Sequence, residues 1–356
     1  MARVNLAIVG CGNIAERYAT RIVEEESLTL VGVTDTVLER AEGLARALGT
    51  KRYASLEELL GDSDVEVVVN LTVPSAHAAV TAAALEAGKH VHSEKPVALR
   101  HDEARELAEL AVRTGRRLSC SPATLLGEAQ QTAWKLVREG AVGDVRVVYA
   151  EANWGRIESW HPTPQALYAV GPLVDVGVYP LTILTAMFGP VRRVLAYGTT
   201  LQPDRVTLAG EPFHLTAPDF IVSLLEFSGG VVGRLTTTFW VKHGRQRGIE
   251  LHGEDGTSLH LASFLEFDSR LEQSRDGGDT YTPVPLVREP FAGIDWARPL
   301  RDLAEAIAEG RPHRSSAEQA AHVVEVLEAV ARSSSEGGSV DVRSQFVSPQ
   351  PMEWAE

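Results

Sequence analysis

The chain is poor in cysteine, in positive charge and in long apolar runs, and each shortage removes a class of function. Of its 356 residues only Cys11 and Cys120 are thiols. They lie far apart, with neither metal-ligand nor disulfide-framework spacing, so no metal site is expected and the pair suits a reducing compartment. Lys and Arg together number 34 against 48 Asp and Glu, a formal net charge of -14. A nucleic-acid groove needs a basic stripe to displace counterions from phosphate, and this balance argues against one. No stretch approaches the roughly 18 consecutive apolar residues of a membrane span. The apolar opening "VNLAIVG" is broken by Asn5 and Gly10 and runs directly into a charged helical pattern, so it does not read as a secretory signal. Neither nucleic acid nor membrane is expected as a partner, and a cytoplasmic protein is. Internal repeats are missing too, and only "RSSSEGG" and "SPQPMEWAE" are compositionally biased.

What is present is an ordinary globular composition, 44% hydrophobic and 23% charged, at a length that suits two domains. "VNLAIVGCGNIA" carries a buried-strand pattern from Val4 to Val9 into Gly10-x-Gly12-x-x-Ala15, and "ERYATRIVEE" continues as a helix. A dinucleotide site needs this order. Gly10 permits the tight turn, Gly12 lets the backbone approach a pyrophosphate, and the small Ala15 lets helix and strand pack closely. A second strand, "LTLVGVTD", ends at Asp35, about 20 residues beyond the turn, where a carboxylate can accept from the adenosine ribose hydroxyls. That charge would repel a 2'-phosphate, so NAD is expected ahead of NADP. Asp35 can also serve as cap of the helix in "TVLERAEGLARALG". Strands in "VEVVVNL", "KHVHS" and "RRLSC" then alternate with helices in "HAAVTAAALEAG" and "DEARELAELAVRTG", which implies a parallel sheet covered on both faces. Glu94, Lys95 and Pro96 follow "KHVHS" at a strand's carboxyl end, where open α/β sheets bind ligands, and Pro96 biases Lys95 toward extended backbone.

These residues resemble a known family. "GCGNIA", "TVPSAH", "LEAGKHVHSEKP" and "VREGAVGDV" are similar to the glucose-fructose oxidoreductase, inositol dehydrogenase and rhizopine-catabolism (Gfo/Idh/MocA) family over nearly the whole chain. The resemblance implies an α/β protein with an N-terminal Rossmann domain, expected over 1–121, and a C-terminal α+β domain with a largely antiparallel open sheet, expected over 122–356. It also implies NAD(P)-dependent chemistry on sugars and polyols. Asn13 and Ile14 join Gly10, Gly12 and Asp35 in the expected cofactor set; Thr72, Pro74 and His77 would lie along the cofactor, with Glu94 and Lys95 near the nicotinamide.

After Cys120 the alternation stops. A helix, "EAQQTAWKLVREG", and the strand "DVRVVYAEANW" precede strand-like runs separated by "SGG", "KHGR" and "GEDG", the pattern of antiparallel hairpins. Two helices follow near the end, the first stopped by Gly310 and the second capped by Ser315 or Ser316. After the strand "DVRVVYAEANW" and before those runs, "GPLVDVGVYPLTIL" is amphipathic at helical spacing, with Asp175 and Tyr179 four apart on one face. The family carries Asp-x-Gly-x-His or Asp-x-Gly-x-Tyr here, and Asp175, Gly177 and Tyr179 match the second form. The implied catalytic set is Lys95, Asp175 and Tyr179.

Oxidising an alcohol requires hydride transfer together with loss of the hydroxyl proton. Free tyrosine and lysine titrate near 10 and 10.4, so either needs its surroundings to act as base at neutral pH. Tyr179 exchanging the proton, Lys95 polarising the oxygen and Asp175 orienting both is one arrangement; Lys95 and Tyr179 exchanged is the other. Substrate contacts are expected from Trp154, Arg156, His161 and Tyr168, with Trp160, Trp240 and His243 nearby. Two positions depart from the family, Ala123-Thr124 after the sixth strand and "AVG" before Asp175, so no individual sugar follows. The leading function is an NAD(P)-dependent dehydrogenase of a sugar, polyol or glycoside. The alternatives are a glycosidase working by transient oxidation and elimination, and a non-catalytic sugar or cofactor sensor. A homodimer or homotetramer formed through the C-terminal sheet is expected.

Overall fold

The computed structural model describes residues 3–275, 278 and 280–356. It divides into two compact units, Met1–Ala123 with Asp295–Val324, and Thr124–Ile294 with Glu325–Glu356.

The first unit is built on six strands, β1 (Val4–Val9), β2 (Leu28–Thr34), β3 (Lys51–Arg52), β4 (Val67–Asn70), β5 (His90–Ser93) and β6 (Leu118–Cys120). All pair parallel in the order β3-β2-β1-β4-β5-β6. The strand order reverses between β1 and β4, which opens a crevice at the carboxyl ends of those strands. Five helices connect them: α1 (Ala15–Glu24), α2 (Leu38–Leu48), α3 (Leu56–Gly61), α4 (Pro74–Glu86) and α5 (His101–Thr114). Alternation along β1 explains the two covered faces. Leu6 and Ile8 pack with Tyr18, Ala19 and Ile22 of α1, whereas Ala7 and Val9 pack on the side of Ala84, Leu85, Leu107 and Ala111 from α4 and α5.

The break after β6 falls at Ala123, close to the expected 121, but the first unit also takes back Asp295–Val324, which closes this core. Ala297, Leu300, Leu303 and Ala304 complete the face that holds Leu6 and Ile8, and Ala317, Ala321 and Val324 complete the other. The amphipathic pattern of 295–324 announces helices but not which sheet they cover. Two contacts fix the return at β6, where Ser119 bridges to Ser316 and the Cys120 N–H donates to the Ser315 carbonyl at 2.9 Å.

In the second unit, α6 (Glu128–Arg138) leads to β7 (Val145–Asn153), and α7 (Gln165–Pro172) and α8 (Val178–Phe188) precede β8 (Val191–Thr199). A small hairpin, β9 (Asp204–Val206) and β10 (Pro212–His214), stands apart. The strands β11 (Phe220–Phe227), β12 (Val232–Thr238), β13 (Gly248–Gly253), β14 (Ser258–Leu261), β15 (Leu271–Ser274), β16 (Thr282–Pro283) and β17 (Ser339–Asp341) complete a nine-stranded sheet. Its order is β16-β15-β14-β13-β7-β12-β11-β8-β17, and every pairing is antiparallel except β7 with β12. Val148, Ala150 and Ala152 of β7 are buried, while Tyr149, Glu151 and Asn153 between them are half-buried on the opposite face. Ala133 of α6 and Ile183 and Met187 of α8 pack against Leu251, Leu259 and Leu261 on the buried face.

The last two helices are α9 (Arg298–Glu309) and α10 (Ala317–Glu336). Ser316 caps α10 by accepting the Gln319 N–H at 3.2 Å.

One expectation about apolar runs is corrected here. Gln165–Phe188 is long and apolar enough to cross a membrane by length and composition. It is not one continuous helix, because Gly171 has φ 75° and Leu173–Gly177 winds as a π turn between α7 and α8. Most of its apolar window is buried in protein, which is the behaviour of a core element.

Candidate active site

The glycine turn between β1 and α1 is set by a close backbone approach. Gly10 has φ +97°, and a Cβ there would lie 2.7 Å from the carbonyl of Leu71. Only glycine meets both demands. A Cβ on Gly12 would meet nothing within 4 Å, which leaves open space over the turn. The Ile14 side chain at the start of α1 makes no capping hydrogen bond, and the Ala15 N–H is taken up by the Gly12 carbonyl at 3.1 Å; the positive end of the helix dipole favours an anion there. Asn13 is exposed beside Gly12, and Ile14 is half-buried against the core under α1. Asp35 ties the turn to β2: one carboxylate oxygen accepts the Cys11 N–H at 2.6 Å and the other accepts the Val37 N–H at 2.7 Å. Burial first, then the Asp35 charge, pushes the Cys11 thiol up to about 12, so it stays protonated and unreactive. An open glycine cradle, an uncapped helix start and a fixed carboxylate at the end of β2 fit a dinucleotide.

The turn after β4 is organised by Asn70, a fully buried polar residue inside an apolar strand. Its amide donates to the His77 carbonyl at 3.0 Å and to Thr81 at 3.1 Å, and its oxygen accepts the Thr72 hydroxyl at 2.7 Å. Pro74 starts α4, where a missing N–H costs nothing. His77 bridges two neighbouring segments. It is buried, with Nδ1 2.7 Å from the Pro96 carbonyl and Nε2 3.0 Å from the Thr72 carbonyl, so its ring lies between the turn after β4 and the segment after β5.

Lys95 stands half-buried just past β5, and its peptide bond to Pro96 is cis. Glu94 accepts the Tyr18 hydroxyl at 2.7 Å on one oxygen and the Lys95 N–H at 3.0 Å on the other. Behind Tyr18 lie Ser121, His92 and Ser119, all buried. Desolvation holds the His92 ring down to about 4, although the Glu94 charge pulls the other way, so the imidazole is neutral near pH 7.

Asp175 and Tyr179 belong to the second unit, at the junction of the π turn and α8. Gly177 between them lies against β12; a Cβ there would sit 2.9 Å from Cγ2 of Thr237. The glycine of this element therefore serves close packing. The Tyr179 ring is 6.1 Å from that of Phe264. Phe264 lines a cavity of about 430 Å3 that also includes Trp154, Asn153, Lys242, His243 and Arg247. Asn153 is among its lining residues, and the Asn153 Oδ1 is shielded from solvent with no hydrogen-bond partner among the described residues.

The expected substrate residues divide. Trp154 lines the cavity, and His161 sits outside its lining with Nδ1 accepting the Thr163 N–H at 3.1 Å. Arg156 pairs with Glu158 at 2.7 Å and lies 5.2 Å from the Trp240 ring centre. Tyr168 is corrected to a core residue: it is buried, its hydroxyl donates to Glu158, and its ring packs edge-on against Phe239. Glu158 and Asp219 together neutralise Arg205, whose side chain is fully buried. Burial and the Glu158 carboxylate both raise the Tyr168 phenol, which excludes it as a base. Phe264 and Asn153 were missed because an aromatic in "ASFLEF" and an asparagine closing a strand carry no local signal of a shared cavity.

Comparison with known proteins agrees with the glycine turn and the open sheet. Residues 4–121 match the oxidoreductase family with NAD-binding Rossmann fold, and residues 130–258 match the GFO/IDH/MocA C-terminal domain. The trans-1,2-dihydrobenzene-1,2-diol dehydrogenase of Oryctolagus cuniculus is 31% identical over 64% of this chain and 67% of its own length. The NADP-dependent scyllo-inositol 2-dehydrogenase of Bacillus subtilis is 26% identical over 79% of this chain and 80% of its own. The structure of an NAD-binding oxidoreductase from Klebsiella pneumoniae superposes with TM-score 0.85 at 21% identity, covering 97% of this chain and 100% of that one. At that identity the likeness is one of fold.

Proposed function

Because the chain belongs to the Gfo/Idh/MocA family of oxidoreductases, we propose that it moves a hydride between a nicotinamide dinucleotide and a secondary hydroxyl or keto group of a sugar, polyol or glycoside. The observation that carries the substrate class is the polar cavity one ring away from Tyr179. A wall with Asn153, Lys242, His243 and Arg247 among its residues suits a molecule dense in hydroxyl groups. The Bacillus relative is named for an inositol, a compound of that kind, and the rabbit relative for a vicinal diol.

The dinucleotide would be held by Gly10, Gly12, Asn13 and the start of α1, with Asp35 on the ribose side and Thr72 and Pro74 along it. When bound, it supplies the hydride donor or acceptor. Asp35, its carboxylate fixed by the Cys11 and Val37 N–H groups, accepts ribose hydroxyls and repels a 2'-phosphate, which favours NAD over NADP. Tyr179 exchanges the hydroxyl proton, Lys95 polarises the reacting oxygen as a cation, and Asp175 orients both. The unpaired face of the nine-stranded sheet joins two copies of the chain.

The test is reduced-nicotinamide absorbance over a panel of sugars, polyols and glycosides with NAD or NADP, for wild type, Lys95→Met and Tyr179→Phe. A signal with NAD that Lys95→Met lowers by at least about a hundredfold, the size of a lost acid–base or polarising group, is the expected result. Near-normal turnover in Tyr179→Phe would move the proton to Lys95. Absence of net reduction, with cleavage of a glycoside, would replace the dehydrogenase by an eliminating glycosidase; ligand binding without either reaction would replace it by a sensor.

A further inference from the structure

A chain of buried polar side chains runs through the first unit and ends on Glu94, beside Lys95. From its far end, Ser119 Oγ lies 3.0 Å from His92 Nδ1. His92 Nε2 lies 3.3 Å from Ser121 Oγ and 3.4 Å from the Tyr18 hydroxyl. Ser121 Oγ lies 3.0 Å from the Tyr18 hydroxyl, which donates to Glu94 at 2.7 Å. The members come from α1, β5 and β6 and the residues that follow those two strands.

Counting protons gives the chain a direction. Tyr18 has one proton and gives it to Glu94, so its oxygen can only accept from the rest. Ser121 therefore donates to Tyr18. The neutral imidazole has one N–H; with Ser121 already donating to Tyr18, Nε2 carries the proton and donates, while Nδ1 accepts from Ser119. Each group donates once, and every donation points toward the Glu94 carboxylate. Polarised chains of this kind strengthen the terminal bond.

The chain is costly to bury and has an apolar alternative, since Tyr18, His92, Ser119 and Ser121 occupy a core that Phe, Leu and Ala could fill. Its one charged member is the carboxylate at the sheet edge. Tyr18 is held firmly for this task, its ring 5.2 Å from that of Trp296, which the returning segment supplies. Glu94 passes the constraint on by accepting the Lys95 N–H at 3.0 Å.

We propose that Tyr18 and His92 are positioning residues: they hold the Glu94 carboxylate in one orientation, and through it the backbone of Lys95, before any ligand arrives. The role in turnover rests on the function proposed above; the constraint on Lys95 does not.

The experiment has an arm for each. Amide hydrogen exchange at Lys95 in the protein without cofactor reads the constraint, with the Val91 amide, bonded to the Arg117 carbonyl at 2.9 Å, as the reference for the sheet. Tyr18→Phe keeps the ring against Trp296 and removes only the hydroxyl. It is expected to lower protection at Lys95 about tenfold, the size of one charge-assisted bond, while Val91 stays unchanged. Equal protection at Lys95, or equal loss at both amides, would overturn the proposal. Ser121→Ala shortens the chain by one link without touching the stack, and moves Lys95 in the same direction if Tyr18→Phe fails to fold. The second arm titrates NADH into wild type, Tyr18→Phe, Glu94→Gln and the double variant. Acting through Glu94 means that the double variant binds no more weakly than Glu94→Gln alone; additive losses overturn it. Wild type that binds no NADH would refute the proposed function, and the exchange arm would still decide this one.

Discussion

At the scale of single residues, burial decides more than residue type. Tyr168 and Tyr179 are both tyrosines in one apolar stretch, yet one is locked in a buried Glu158–Arg205–Asp219 group and the other is half-buried with its ring against a cavity wall. Nothing in "QALYAV" announces the difference, because Glu158 and Arg205 reach Tyr168 from other segments. Gly10, Gly12 and Asp35 were legible for the opposite reason: the turn they build is local, and its spacing is dictated by one ligand shape. The Tyr18 to Glu94 chain lay outside that reach, joining residues 76 and 103 positions apart; its only sequence trace is a histidine and serines inside apolar strands. His92 also predicts a pH dependence. Its folded value of about 4 lies below the ordinary 6.5, and His90 is lowered to about 4 by burial and then by Arg116 and Arg117. Between those values the unfolded chain binds more protons than the folded one, so stability is present above pH 6.5 and drains away as pH falls toward 4. The expected loss in that window is up to about 1.4 kcal/mol per pH unit for the fully buried His92, and less for His90, whose ring is partly open to solvent and screened. Urea unfolding at pH 7 and pH 5 should display it, and His92→Gln should flatten the slope by about one ring's share.

At the scale of elements, the strands and helices of the first unit were readable from periodicity, and the joint between α7 and α8 was not. The amphipathic pattern of "GPLVDVGVYPLTIL" predicts a plain helix, whereas Leu173–Gly177 widens to a π turn. Tertiary contact explains the difference in part: Gly177 is drawn against Thr237 of β12, where no side chain fits. Gly177→Ala is therefore expected to push the turn off the strand, costing about 1–3 kcal/mol as an overpacked core. Turnover should fall as well, since Asp175 and Tyr179 flank the displaced residue. Thermal unfolding together with activity on the best substrate of the panel checks it, and an alanine variant with both unchanged would refute close packing as the reason for glycine here.

At the scale of the whole molecule, the face of the second unit's sheet that its helices leave uncovered carries an apolar patch on β8, β11 and β12, beside charged residues such as Arg193, Glu226 and Arg234. Leu224 lies directly across from Leu195 and from Arg234, Val222 lies across from Tyr197, and Leu195, Leu224 and Val232 are each more than two-fifths exposed. A patch of this kind on a wide sheet favours a second copy of the chain over water. Light scattering is expected to report a dimer or tetramer, and Leu224→Arg, a charge at the centre of the patch, to shift it to monomer; a wild-type monomer would refute the interface. Domain order was less legible than domain existence. The two amphipathic helices after residue 294 were readable, but a pattern of apolar positions does not say which core receives them, and Ala297, Leu300 and Leu303 return to the first sheet. That return has a consequence during synthesis. The ribosome releases β1 to β6 first, yet Leu6 and Ile8 cannot be fully covered until the stretch up to residue 304 has emerged, and Trp296 cannot brace Tyr18 before then. A nascent chain must carry an unfinished dinucleotide fold while the whole nine-stranded sheet except its last strand is translated, so the unit that emerges first is among the last to be completed, and chaperones have the longest access to the half that binds the cofactor.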